Sequence, residues 1–201
     1  MQQNILVTVF NVESEGYQAI TELKQKFEGD SWFVSEAALI KKEAGTYKTI
    51  DLFDSKAHTA DDTLIGGLIG MCVGVLGGPI GMLLGASYGA LVGNSVDAID
   101  TMDAVSLLEQ IVGKLDDGML ALVALAEEKS PAALDAQFAK FDTIVARFDA
   151  AVVAQEVEKA REMEAEMRRL ARLELRKQRT DEFKGKVEEK RAKLKARFAK
   201  E

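Results

Sequence analysis

Apolar and β-branched positions alternate partially along Asn4–Val12 (NILVTVFNV), which predicts a strand. Ile20, Leu23 and Phe27 then step by three or four residues through SEGYQAITELKQKFEG. That spacing predicts a helix, with Ser14 as N-cap and Gly29 as stop. Ser31–Lys42 and Thr46–Asp54 flank EAG and predict a two-stranded hairpin. Farther on, Val105, Leu108, Ile111, Val112 and Leu115 form a helical stripe. Gly118–Glu128 follows a DDG turn and predicts a buried strand. The order is β-α-β-β-insert-α-β, the α+β order of a ferredoxin-like sandwich. A short helix starting at Ser130-Pro131 and an edge strand over Asp142–Ala150 come next. From Ala151 onward there is no proline and only Gly185, in a composition of good helix formers, which predicts one long C-terminal helix. The expected domains are a ferredoxin-like body over 1–60 and 97–150, an insert over 61–96 and the charged helix over 151–201.

The insert carries the most unusual pattern. Gly66–Gly93 reads GGLIGMCVGVLGGPIGMLLGASYGALVG. Glycines fall at Gly66, Gly70, Gly74 and Gly78, then at Gly81, Gly85, Gly89 and Gly93. The two sets mirror each other about Pro79-Ile80, as an antiparallel helical hairpin would require. Gly77 and Pro79 supply its turn. Facing glycines let two backbones approach closely. Each arm would be roughly 20 Å long, short of the ~30 Å hydrocarbon core of a bilayer. Its flanks are acidic, with Lys56 alone on the basic side and Tyr88 the lone aromatic inside, so interfacial anchors are missing. Three environments stay open for the hairpin: a partly penetrated bilayer, other copies of the chain, or the body of its own subunit.

Charge divides the 201 residues into an acidic body and a basic tail. Before residue 151 lie 10 of the 26 Lys+Arg and 22 of the 33 Asp+Glu. In the tail Val153, Val157, Ala160, Met163, Met167, Leu170 and Leu173 step by three or four. Val157, Met163, Met167 and Leu170 are therefore expected to pack against a partner helix. One cysteine, Cys72, excludes an internal disulfide, and one histidine, His58, leaves too few ligands for a His/Cys zinc site. Cys72 is expected to be a buried apolar residue and His58 a solvated loop residue. Asp97, Asp100 and Asp103 read as a solvated helix start rather than a cation site. No phosphate loop is present, because GxxxxGK[ST] does not occur.

The strand Ile5–Phe10, the hairpin end Asp51–Phe53, the glycine zipper and the segment Asp116–Leu125 together resemble a bacterial family of unknown function. Its members are stress-associated, predicted membrane proteins with a glycine-zipper hairpin inserted in a ferredoxin-like domain. The resemblance covers about 1–155. It implies no enzymatic activity and no ligand residues, and it does not extend to the basic tail.

No general base, nucleophile or metal cluster can be assembled, so no catalytic residue, cofactor or metal is assigned and the chain is not expected to be an enzyme. The expected function is a structural protein that self-assembles through the glycine-zipper hairpin. Two other readings are an oligomeric pore formed by the hairpins and a soluble homo-oligomeric scaffold without lipid contact. The expected partners are other copies of the chain and membrane lipid; neither nucleic acid nor a small-molecule substrate is expected. The amino terminus lacks a basic segment before a long apolar run, so a cytoplasmic location at the inner membrane face is expected.

Overall fold

The computed structural model describes residues 2–55, 67–78 and 115–198. The chain forms two compact units, Met1–Arg161 and Glu162–Glu201. The first holds β1 (Gln2–Phe10), α1 (Glu13–Gln25), β2 (Glu28–Gly29), β3 (Trp32–Glu43), β4 (Thr46–Asp54), α2 (Leu68–Leu76), β5 (Leu120–Glu128), α3 (Pro131–Phe138) and β6 (Thr143–Asp149). The long helix α4 (Ala150–Phe198) begins in this unit.

The architecture is α+β around a six-stranded antiparallel sheet of order β2-β3-β5-β1-β6, with β4 also paired to β3. The specific ferredoxin-like topology is not confirmed. There the second hairpin strand would lie between the first two parallel strands. Here β5 lies between β1 and β3, and β4 pairs outside them. β5 can take the middle place because LALVALA is apolar at consecutive positions, as a strand buried on both faces must be.

One sheet face carries Leu6, Phe10, Val34, Ala37, Leu39, Leu120, Leu122 and Ala124. It packs on Ala19, Ile20 and Leu23 of α1 and on Leu134 and Phe138 of α3. The alternate residues Ile5, Val7, Val9, Ala38, Ile40, Ala121 and Val123 point to the opposite face and are also buried. On that side α2 packs against β3, β4 and β5.

Three local outcomes differ from the expectations. The first helix starts at Glu13, after Val12 rather than Ser14, with no side-chain cap. It ends at Gln25, before Gly29, because Glu28 and Gly29 pair with Phe33 and Trp32. Phe27 thereby leaves the helical stripe and packs on Phe33 and Phe53, with ring centroids 6.0 and 5.4 Å away. The β3–β4 turn uses Ala44 (φ 50°) and Gly45 (φ 73°), the paired positive φ of a tight hairpin.

The long helix begins at Ala150, one residue from the expected 151. Its first turns belong to the first unit, where Val153, Val157 and Ala160 are fully buried, and the second unit begins at Glu162. Asp149 caps the start of α4, its Oδ1 accepting from the Ala151 and Val152 amides at 2.9 and 3.2 Å.

At one end of the α1/α3 face, Glu128 is almost fully buried beneath Arg147. Arg147 Nε donates to Glu128 Oε1 at 2.9 Å and Nη2 to Oε2 at 3.1 Å. Nη2 also reaches Asp135 Oδ1 at 2.5 Å, tying β5, β6 and α3 together. Burial pulls the Arg147 pKa down, but its hydrogen bonds to Glu128 and Asp135 outweigh this and leave it raised. Arg147→Ala should destabilise the first unit by about 3 kcal/mol, because Glu128 is left buried without a counter-charge, with only the Asn4 amide donating to it at 3.4 Å. Urea unfolding measures this, with Arg147→Lys expected to recover part of the loss.

Candidate functional site

α2 is the described part of the glycine-zipper insert. Ile69, Cys72, Val75 and Leu76 recur at helical spacing and are at most 2% exposed. Burying Ile69, Val75 and Leu76 contributes about 1.5–3 kcal/mol each. Gly70 and Gly74 cost the helix only about 0.5–1 kcal/mol each relative to alanine. Packing on the sheet therefore outweighs the glycine penalty. The first arm of the insert belongs to the body of its own subunit, and this observation favours that environment over lipid for the buried stripe.

A carboxylate fixes the start of α2. Ile69 N–H donates to Glu36 Oε2 at 3.1 Å, giving one of the orphan amides of the helix a charged acceptor. Glu36 reaches it because the β3–β5 register shifts between Val34 and Glu36. Val34 and Ala37 both face α1, an odd spacing that a regular strand would not allow. The bulge turns Glu36 to the α2 side. Gly67 makes room for this carboxylate, since a Cβ there would lie 1.8 Å from Glu36 Oε1. At the other end Gly77 N–H donates to Val73 O at 2.8 Å and Gly78 N–H to Val75 O at 3.1 Å.

The remaining glycines face the other way. At 100° per residue, Gly70 and Gly74 lie nearly opposite the centre of the buried stripe, with Met71 and Val73 flanking them. A Cβ added at either glycine meets nothing within 4 Å. Met71 Sδ accepts from Arg161 Nη1 of α4 at 3.2 Å. The glycine side is thus a shallow furrow on a helix whose opposite side is locked down.

Of the predicted zipper residues, Gly70, Gly74 and Gly78 lie along α2 and its end, and Gly77 is the C-cap of the helix. Gly66, Pro79, Gly81, Gly85, Gly89 and Gly93 lie outside the described residues, as do His58, Asp97, Asp100 and Asp103. Among the tail residues, Val157 is fully buried within the first unit. Met163 and Met167 are half-buried, and Leu170 is exposed. Sequence reasoning missed Glu36. Its one signal was an acid inside the stretch Trp32–Ile40, which is otherwise apolar apart from Ser35.

Burial holds the Cys72 thiol and the Tyr47 phenol in their neutral forms. Burial, and secondarily the Glu36 charge, push the Cys72 thiol up to about 12, so the nucleophilic thiolate is scarce at neutral pH. Burial likewise raises the Tyr47 phenol to about 12. Among the described residues no group of three or more His, Cys, Asp or Glu is placed to hold a metal. No helix among the described residues is long and apolar enough to cross a membrane. No protein-family model, curated protein or solved structure matches the chain.

Cys72 reports on the seating of α2. At pH 8 it should resist iodoacetamide in the native protein and react when the chain is unfolded. Gly67→Ala displaces the Glu36 carboxylate, and should speed native labelling and lower stability by about 1–3 kcal/mol in urea.

Proposed function

We propose that the protein is a non-enzymatic structural protein whose copies associate through the glycine furrow of α2. The observation that carries this reading is the two-sidedness of the helix. Ile69, Cys72, Val75 and Leu76 hold one side against the sheet, while Gly70 and Gly74 leave backbone accessible on the other. A helix held this way presents a pre-ordered furrow, so a second helix can dock without α2 having to order first. Small residues at four-residue spacing suit close helix approach, in water as in membranes. Closed rings or dimers are the usual outcome when copies of one chain meet through such a contact.

The same observation favours an assembly held by protein contacts over a pore. The described arm buries Ile69, Val75 and Leu76, which leaves them unavailable to lipid. The cytoplasmic membrane face is part of the proposal as a place of action, and so is membership of the stress-associated family.

Gly70→Leu with Gly74→Leu tests the furrow. Nothing among the described residues lies within 4 Å of an added Cβ at either position, so the thermal midpoint should stay within a few degrees of wild type. Sedimentation should show the oligomer replaced by monomer. An unchanged mass would rule out the furrow as the contact.

A further inference from the structure

We infer that the second unit is a lateral pairing element, in which the basic line of one helix docks on the acidic line of a second copy. This inference stands on the tail alone and does not depend on the α2 furrow.

Within the second unit α4 is helical through Phe198. Arg168, Arg172, Arg176, Arg179, Lys186 and Lys190 are all exposed and follow one another at spacings of three, four or seven. At 100° per residue they fall within an arc of about 80°. Like charges three or four residues apart weaken an isolated helix. Acids could relieve this repulsion, and two pairs are present, Arg168–Glu164 at 3.5 Å and Arg169–Glu166 at 3.2 Å. Arg172, Arg176 and Arg179 have no acidic partner among the described residues. Arg168, Arg172, Arg176, Ala165 and Leu173 line a shallow exposed groove.

The opposite line is acidic with the same period. The sequence carries Glu, Asp and Glu at 174, 181 and 188, seven residues apart. These positions lie about 170° around the helix from the basic line. Arg172, Arg179 and Lys186 also repeat every seven residues, each two residues before an acid. Two parallel helices shifted by two residues, or about 3 Å, therefore bring every one of these bases level with an acid of its neighbour.

The same shift solves a second problem. Phe183 stands on the basic line, 68% exposed. Gly185 lies close to the acidic line, where an added Cβ would meet nothing within 4 Å. Glycine inside an exposed helix is otherwise unfavourable. A two-residue shift places Phe183 of one copy over Gly185 of the next, where the missing side chain leaves room for the ring. A nucleic acid or an anionic membrane would account for the basic line, but neither would account for the matched acids or for Gly185.

The contact is head-to-tail, with different faces meeting, so it propagates into a ring or an open array. The test uses the full chain, labelled with donor or acceptor dye at Gln178→Cys in a Cys72→Ala background. One variant carries Arg172→Glu, Arg179→Glu and Lys186→Glu. The other carries Glu174→Lys, Asp181→Lys and Glu188→Lys. Energy transfer should fall for each variant alone, with association at least about tenfold weaker than wild type. It should return when the two are mixed, because each then offers the charge that the other lacks. Circular dichroism checks that the helix persists in both. Transfer that survives in either variant, or fails to return on mixing, overturns the proposal. So does a result in which tail transfer is absent from wild type while its basic line binds a DNA oligonucleotide or vesicles rich in phosphatidylserine.

Discussion

Ile5, Val7, Val9, Ala38, Ile40, Ala121 and Val123 project from the sheet on the side away from α1 and α3, and none is more than 5% exposed. A sheet that is apolar on both faces must be covered on both faces. That requirement places the first arm of the insert. Its stripe of Ile69, Cys72, Val75 and Leu76 meets the second face, and Glu36 tethers its first turn. Gly70 and Gly74 then lie on the other side of the helix, where nothing among the described residues comes within 4 Å of an added Cβ. The orientation of this candidate contact face follows from closing the core.

The glycines of the insert have distinct tasks. Gly67 admits a carboxylate that any side chain would displace. Gly77 lies near the Val73 and Tyr47 carbonyl oxygens at the end of the helix. A Cβ at Gly70 or Gly74 would meet nothing within 4 Å among the described residues. A repeat that looks uniform in sequence thus divides into residues that serve the fold and residues left over for contact. The tail repeats this logic at larger scale. Its early turns complete the first unit through Val153, Val157 and Ala160, whereas the second unit presents mainly exposed side chains.

Much of the fold was legible because it is local. β4 covers Thr46–Asp54 as its alternation indicates, α3 starts at Pro131, and the tail is helical from Ala150. Strand order was not legible. Which strand fills the gap between β1 and β3 depends on contacts distant in sequence, and β4 and β5 both satisfy the local pattern. Glu36 was hidden for a related reason: a single bulge reverses the side to which a residue points, and alternation alone cannot reveal it. The glycine face was legible as a spacing. That its opposite side is buried became visible only with the second sheet face in place. A helical stripe such as the one through Val157 looks the same in sequence whether it packs on its own subunit or on a neighbour.

We propose that copies of this chain meet through protein contacts built on the glycine face of α2. Native mass measurement of the full chain, with and without mild detergent and across a dilution series, tests that contact. One defined oligomer is expected in detergent-free buffer, with the same mass in detergent. A monomer in detergent-free buffer, or an assembly that exists only with detergent or lipid, would contradict it.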